Sequence, residues 1–121
     1  MNGAGTMKLL IVDDSQEMRR LIKRILVDLA EEIFECENGA EAVVAYEQYN
    51  PDVVLMDIEM PVMDGLSATR KIIVAHPDAR IIIVTRFDHE KMRTAAITAG
   101  ASDFVGKENL QALRACLNPD R

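Results

Sequence analysis

Short apolar runs recur along this chain and constrain its fold more than any other feature. Three of them are LLIV at 9–12, VVLM at 53–56 and IIIV at 81–84, and a shorter pair, Phe104 and Val105, comes near the end. Runs of this length suit strands whose two faces are both covered. Because longer segments with helical periodicity separate them, the sequence predicts an α/β protein with a parallel sheet between layers of helices.

The segments between the runs predict five helices and one further strand. In the first helix, apolar residues recur from Met18 to Leu29 at helical spacing, after Ser15 as the N-cap. The segment 31–37 alternates acidic and apolar residues, which is typical of a strand at a sheet edge. The remaining helices are predicted at 40–49, at 66–75, from an N-cap at Asp88 to Ala99, and at about 108–117.

Size and charge limit the classes of protein to which the chain can belong. Its 121 residues, 49% of them hydrophobic, predict one domain at 7–118, with a flexible tail at 1–6 and a second tail at 119–121. The net charge of -6 argues against direct binding to nucleic acid. Neither an apolar run of about 18 residues nor a signal pattern occurs, so we expect no membrane span and a cytoplasmic location. Cys36 and Cys116 lack metal-ligand spacing and are assigned no role.

Polar and charged residues stand where the predicted strands end. Asp13 and Asp14 follow the first strand, Asp57 follows the third, Thr85 ends the fourth and Lys107 follows the fifth. The ends of parallel strands meet at one edge of a sheet, so these side chains are expected to lie together. Clustered carboxylates repel unless a cation joins them, and Mg²⁺ takes such oxygen ligands together with phosphate. The pattern therefore indicates phosphoryl transfer, with Asp57 as the nucleophile and with Thr85 and Lys107 holding the phosphoryl oxygens.

In combination, four motifs resemble those of response-regulator receiver domains, the acceptor half of bacterial two-component phosphorelays. They are IVDDS at 11–15, LMDIEMPVMDG at 55–65, VT at 84–85 and GASDFVGK at 100–107. The resemblance covers about residues 8–117. It implies a flavodoxin-like, doubly wound sheet of five parallel strands in the order 2-1-3-4-5, with five helices.

The resemblance also implies a role for each residue of the predicted site. Mg²⁺, or alternatively Mn²⁺, would be held by three carboxylates and one backbone carbonyl, those of Asp13, Asp14, Asp57 and Glu59. Asp57 would accept the phosphoryl group, and Thr85 and Lys107 would contact its oxygens. Thr85 and Phe104 would be the switch residues that report phosphorylation to the surface.

Some positions depart from the family pattern or vary within it. Arg86 stands where the family has a small residue, and Glu108 replaces the usual proline. Arg86, Glu59 and Phe87 flank the site and are predicted to gate access to it. Gly106 is expected to weaken the fifth strand.

A basic cluster on the first helix allows two interpretations. Arg19, Arg20, Lys23 and Arg24 are predicted to lie opposite its apolar stripe, where a solvated face is the default. A basic strip on an acidic protein can also steer an acidic partner. By resemblance that partner is the phosphohistidine donor, with Met18, Arg19 and Arg20 as docking residues, and both interpretations stay open.

The predicted function is a phosphorylation switch that assists only its own phosphorylation and dephosphorylation and is not otherwise an enzyme. The donor would be a histidine kinase or histidine phosphotransfer protein. The face of helix four, strand five and helix five would bind a downstream target, or an output domain of a larger regulator that includes transcriptional ones. The protein would be a monomer, or a phosphorylation-dependent homodimer through that face.

Two alternatives to this function remain. A haloacid-dehalogenase-like phosphatase also uses an aspartate nucleophile and Mg²⁺, although that family has an Asp-x-Asp pair where this chain has Asp13-Asp14-Ser15. A degenerate receiver that accepts no phosphate and acts as an interaction module is the other.

Overall fold

The computed structural model describes residues 7–117, so both predicted tails, at 1–6 and 119–121, and Asn118 lie outside the described residues. Strands and α-helices alternate along these residues, with short 3-10 turns at Val27–Leu29 and Lys107–Asn109. The elements are β1 Met7–Val12, α1 Gln16–Leu26, β2 Ala30–Cys36, α2 Gly39–Tyr49, β3 Val53–Met56, α3 Gly65–Ala75, β4 Ile81–Thr85, α4 Glu90–Ala99, β5 Asp103–Gly106 and α5 Ala112–Leu117.

The five strands form one parallel sheet in the order β2-β1-β3-β4-β5. The predicted fold class, strand order and five helices are therefore confirmed. The segment predicted as an edge strand is β2, which lies at one edge of the sheet and exposes the side chains of Glu31, Glu32 and Glu35. Along residues 7–117, no helix has the length and apolar character that a membrane crossing would need.

Alternate residues of the central strands point to opposite faces of the sheet and so divide the core into two layers. The layer under α1 and α5 includes Leu9, Ile11, Ile22, Leu26 and Leu113. The layer under α2, α3 and α4 includes Leu10, Val54, Met56, Ala68 and Ile72.

β3 lies in the middle of the sheet and is buried on both faces. Its four side chains, Val53 to Met56, are each at most 1% exposed. Burial of each such side chain contributes about 1.5–3 kcal/mol, so the strand is a rigid support for the residue that follows it, Asp57.

The predicted start of α4 was wrong in its capping residue. The helix begins at Glu90, and the Nδ1 atom of His89 accepts a hydrogen bond from the Met92 N–H at 3.3 Å. Asp88, the predicted cap, instead accepts a bond from Arg93 Nε at 2.8 Å. An ion pair with a side chain one turn into the helix thus takes the carboxylate away from the helix end.

The last helix starts later than predicted. A 3-10 turn at Lys107–Asn109 precedes it, and α5 begins at Ala112. The Leu113 N–H donates to the Leu110 carbonyl at 3.0 Å, a bond from i+3 to i that belongs to a tighter turn than the α-helix. Both leucines face the core.

Val62 strains the loop between β3 and α3. Its φ of 68° lies in a region that β-branched residues rarely occupy. The Met63 N–H donates to the Pro61 carbonyl at 2.7 Å, which closes a γ-turn of the strained kind around Val62. The Val62 side chain is 83% exposed, so little packing offsets the strain.

Val62→Gly is therefore expected to raise the free energy of unfolding by about 1 kcal/mol, measured by chemical denaturation. Glycine would relieve about 1–3 kcal/mol of backbone strain. This exceeds the roughly 0.4–1 kcal/mol by which glycine lowers stability, because it increases the conformational entropy of the unfolded chain. Val74→Gly is the matched control, because Val74 is 84% exposed but lies within α3. It is expected to lose roughly 0.3–0.5 kcal/mol, because glycine is a poorer helix former than valine, and a loss at both positions would contradict the strain at Val62.

Candidate functional site

The carboxyl ends of the strands converge on a polar pocket at one edge of the sheet, as predicted. Its cavity has a volume of about 230 Å³. The residues that line it are Asp13, Asp14, Ser15, Asp57, Glu59, Arg86, Phe87 and Lys107. They come from the ends of β1, β3, β4 and β5, so the parallel topology, and not proximity in sequence, builds the pocket.

Three carboxylates lie together in this pocket. Asp13 is 2% exposed and Asp57 is 6% exposed, whereas Asp14 is open to solvent. One carboxylate oxygen from each of the three lies within 4.8 Å of the others. Lys107 Nζ lies 2.8 Å from Asp13 Oδ2 and 3.3 Å from Asp57 Oδ2, so a single ammonium bridges the two buried acids.

Asp57 is held by hydrogen bonds to the adjacent strand β1 and to the next residue in the sequence. Its backbone N–H donates to the Val12 carbonyl at 2.9 Å, and the Ile58 N–H donates to its Oδ1 at 2.8 Å. A side chain on Gly65 would place its Cβ 1.8 Å from the Asp57 carbonyl oxygen, so only glycine permits the start of α3 to pack on this residue. The Gly65 N–H also donates to the Ile58 carbonyl at 2.8 Å, which ties the two ends of the loop together.

The buried position changes the acidity of Asp57. Burial, and next the neighbouring Asp13 carboxylate, raise the pKa of Asp57 from 3.8 to about 6, against the lowering effects of Lys107 and the Ile58 N–H. The carboxylate is therefore still mostly ionised near neutral pH, but at a cost to the folded state.

This raised pKa predicts a pH-dependent difference in stability between the wild type and Asp57→Asn in metal-free buffer. Above about pH 6, Asp57 is ionised in both the folded and unfolded states, and the folded state bears a cost of about 3 kcal/mol. As the pH falls through 6, the folded protein takes up the proton before the unfolded chain does, and the cost disappears. The asparagine variant never bears this cost.

We expect Asp57→Asn to be more stable than wild type by about 2–3 kcal/mol at about pH 7.5, and by less than about 1 kcal/mol at about pH 4. Denaturant titrations at the two pH values measure this. A difference that stays constant between them would contradict the raised pKa.

Thr85 reaches the same edge, where its hydroxyl bonds to a backbone N–H of the following loop. It is fully buried at the end of β4, and its hydroxyl accepts a hydrogen bond from the Phe87 N–H at 3.2 Å. Within residues 7–117, Thr85 is not among the residues that line the pocket. Its predicted contact with phosphoryl oxygens stays a prediction.

The residues predicted to gate the site, Arg86, Glu59 and Phe87, all line the pocket. Arg86 Nη2 is 3.7 Å from Glu59 Oε1, and both side chains are largely exposed. The Arg86 guanidinium also lies 5.1 Å from the centre of the Phe87 ring. A long, exposed ion pair of this kind contributes at most about 1 kcal/mol, so Arg86 does not close the pocket firmly.

Phe104 is half-buried next to a cation on α4. The Arg93 guanidinium lies 4.7 Å from the centre of its ring, and Arg93 is held by Asp88. Gly106 was expected to weaken β5, and the strand does end there, paired with Thr85. A Cβ at Gly106 would lie 2.7 Å from Asp88 Oδ2, so the glycine makes room for the acid that positions Arg93.

The predicted exposure of Arg19 was wrong. Arg19 is 8% exposed, its Nη1 donates to the Asp13 carbonyl at 2.6 Å, and its Nε donates to Glu35 Oε1 at 2.9 Å. The signal in the sequence is its spacing: Arg19, Ile22 and Leu26 recur at i, i+3 and i+7, which is one face of a helix.

The other three basic residues of the cluster are exposed as predicted, namely Arg20, Lys23 and Arg24. The docking role of Met18, Arg19 and Arg20 is not tested by the geometry and stays a prediction.

The donor set of the pocket fits a hard divalent cation. Mg²⁺ binds through carboxylate oxygens and retains water, and three carboxylates converge here with one of them, Asp14, open to solvent. Mn²⁺ takes the same ligands. No soft ligand lines the pocket within the described part of the chain, so the residues present favour these cations over zinc or copper.

Comparison with known proteins gives consistent matches. The family model described as response regulator receiver domain matches residues 9–118. The chemotaxis protein CheY of Bacillus subtilis is 46% identical over 101 residues, which cover 83% of this chain and 84% of that protein. The transcriptional regulatory protein DegU of Brevibacillus brevis is 40% identical over 103 residues, 84% of this chain but 44% of DegU. A solved CheX-CheY-BeF3-Mg complex from Borrelia burgdorferi matches with a TM-score of 0.84 and 28% identity, over 93% of this chain and 90% of that chain.

Proposed function

Because the chain belongs to the response regulator receiver domain family, we propose that it is a phospho-accepting switch in which Asp57 receives the phosphoryl group. The donor would be the phosphohistidine of a histidine kinase or a histidine phosphotransfer protein. The observation that carries the proposal is the position of Lys107 Nζ, which is 3.3 Å from Asp57 Oδ2. A cation thus lies beside the carboxylate to which the negatively charged phosphoryl group would be transferred.

In this proposal, Asp13, Asp14 and Asp57 hold Mg²⁺, or Mn²⁺ in its place, together with the backbone carbonyl of Glu59. When bound, the cation supplies charge neutralisation for the phosphoryl oxygens and for the surrounding carboxylates. The convergence of the three carboxylates within 4.8 Å supports this assignment. The CheY structure from Borrelia burgdorferi, whose described complex includes Mg, supports it by similarity.

The transfer exchanges one bond to phosphorus for another. An oxygen of the ionised Asp57 carboxylate forms the new O–P bond while the N–P bond of the donor phosphohistidine breaks. The imidazole leaves with the electron pair of that bond and takes up a proton. Lys107 moves from the carboxylates to the phosphoryl oxygens, and the Ile58 N–H keeps the Asp57 side chain oriented.

The change at Asp57 would reach the surface through Thr85 and Phe104. Thr85 pairs in register with Gly106, two positions after the pair of Ile83 with Phe104, so the hydroxyl and the ring stand on adjacent strands. If Thr85 turns toward the phosphoryl group, its bond to the Phe87 N–H breaks, and the start of the loop to α4 is freed. The face of α4, β5 and α5 would then change its affinity for a partner.

The chain matches two kinds of relative, single-domain regulators and larger regulators, and each suggests an output for this chain. It would bind a target protein directly, as a single-domain regulator, or control an output domain as part of a larger regulator such as DegU. The proposal also covers the oligomeric state: the protein is a monomer, or a homodimer that forms through the same face on phosphorylation. The phosphatase alternative is not favoured, because the matched family covers residues 9–118.

The proposal predicts that the wild-type protein, incubated with Mg²⁺ and acetyl phosphate, acquires one labile phosphoryl group per chain. Intact-mass spectrometry measures the adduct, and a chelator added before the donor is expected to prevent it. If no adduct forms at any Mg²⁺ concentration, the chain is instead a degenerate receiver.

A further inference from the structure

We infer that Arg19 is a positioning residue for the Asp13 carboxylate, and that Glu35 on the edge strand β2 holds Arg19 in place. The inference deepens the proposed function and rests on it, because Asp13 is one of the proposed metal ligands. Arg19 itself does not line the pocket, so it would act only through Asp13.

Every polar atom of Asp13 has a partner. Its N–H donates to the Cys36 carbonyl at 3.1 Å, and its carbonyl accepts from Arg19 Nη1 at 2.6 Å. Its Oδ1 accepts from the Ser15 N–H at 2.9 Å, and its Oδ2 lies 2.8 Å from Lys107 Nζ. Three of these four contacts, those with Cys36, Arg19 and Ser15, do not involve Lys107. They would persist if Lys107 moved to a phosphoryl group.

Among these four contacts, the bond from Arg19 is the one in which a side chain binds the backbone of Asp13. Arg19 is 8% exposed, and burial of its charge is costly, but here its planar guanidinium satisfies two acceptors at once, the Asp13 carbonyl and Glu35 Oε1. A lysine at this position could not make both bonds in the same geometry.

Glu35 is ionised and shared between two cations. Lys23 Nζ lies 2.8 Å from Glu35 Oε2, and the bonds from Lys23 and then Arg19 hold the pKa of Glu35 below its ordinary value. Lys23 is exposed and does not contact Asp13 in the described structure. It therefore offers a control that alters charge at Glu35 without altering the bond to Asp13.

Removal of Arg19 has two effects on the affinity for Mg²⁺, and they act in opposite directions. Removal of a nearby positive charge would by Coulomb's law tighten the binding of Mg²⁺. Loss of the bond to Asp13 would weaken it, and partners of metal ligands are worth about 10- to 100-fold in affinity. The sign of the change thus separates the two effects.

The test measures the affinity for Mg²⁺ by isothermal titration calorimetry in folded wild type, Arg19→Gln, Arg19→Lys and Lys23→Gln. Arg19→Gln is expected to bind about 10-fold more weakly or worse, although it carries one positive charge fewer. Arg19→Lys keeps the charge and the apolar stem, so it serves if the glutamine variant does not fold, and it is also expected to weaken binding. Lys23→Gln is expected to bind as wild type does or slightly more tightly.

A metal-free readout keeps this inference separate from the proposed function. The Ser15 amide, which donates to Asp13 Oδ1, is expected to exchange its hydrogen faster in both Arg19 variants than in wild type and Lys23→Gln. Arg19 variants that bind Mg²⁺ as tightly as wild type, with Ser15 exchange unchanged, would overturn the inference. If wild type itself binds no Mg²⁺, the proposed function fails, and the exchange rates alone decide whether Arg19 positions Asp13.

Discussion

Asp57→Asn is expected to abolish phosphoryl acceptance while leaving the fold intact. The amide has the shape of the carboxylate and can keep the bond from the Ile58 N–H, but it lacks the anionic oxygen that attacks phosphorus. Under conditions that convert the wild type to its adduct with Mg²⁺ and acetyl phosphate, intact mass is expected to show no adduct in this variant.

Asp64→Asn is the matched control for this result. Asp64 is an exposed acid of the same loop, and its side chain caps α3 by accepting a bond from the Ser67 N–H at 2.8 Å. Asparagine caps helices equally well, so the control is expected to fold and to acquire the adduct as wild type does. Survival of the adduct in Asp57→Asn, or its loss in Asp64→Asn, would place the acceptor elsewhere.

Lys107→Ala is expected to slow phosphorylation by acetyl phosphate about 10²- to 10³-fold, the usual loss when one fixed donor to developing negative charge is removed. The Lys107 side chain is 15% exposed, and its Nζ bridges Asp13 and Asp57. Within residues 7–117, no other cation forms an ion pair with both acids. Time courses of adduct formation by intact mass give the rate. The affinity for Mg²⁺ is not expected to fall, because the ammonium and the cation compete for the same carboxylates.

Lys91→Ala provides the comparison for Lys107→Ala, since Lys91 is an exposed lysine on α4. It is expected to be phosphorylated at the rate of the wild type. A Lys107→Ala rate within a few-fold of the wild type would mean that the ammonium serves only to neutralise Asp13 and Asp57 in the unphosphorylated protein.

The place of the site could be predicted because it follows from topology. In a parallel sheet, residues just after the strands must meet at one edge, so Asp13, Asp57 and Lys107 could be brought together without knowledge of any contact. The apolar runs before them identified the strands. The same reasoning placed Thr85 at this edge, but it could not give the rotation of its hydroxyl, which bonds to the Phe87 N–H.

The residues that hold the site in place were harder to predict, because their partners are distant in sequence. Arg19 was assigned to the solvated face by its charge, although its spacing from Ile22 and Leu26 puts it on the buried face. The Asp13 carbonyl and Glu35 on the neighbouring strand β2 make that burial tolerable. The pairing is a property of the folded sheet, and no local pattern signals it.

Gly106 is a second residue whose role could not be predicted from the sequence. As a glycine in a strand, it was expected only to weaken β5. In the structure its missing side chain admits Asp88, which holds Arg93 over the Phe104 ring. The sequence position of Asp88 suggested a helix cap, whereas its contact with Arg93 exists only in the folded structure.

If Asp57 carries the phosphoryl group, then borohydride reduction of the phosphorylated protein should convert that one aspartate to homoserine, because an acyl phosphate is reduced to an alcohol and a free carboxylate is not. Peptide mass spectrometry that covers residues 8–19 and 53–65 then identifies the converted residue. We predict homoserine at position 57 in the phosphorylated wild type and none in protein that was not exposed to the donor. Conversion at Asp13 or Asp14, or an adduct that resists reduction altogether, would contradict the assignment of Asp57 as the acceptor.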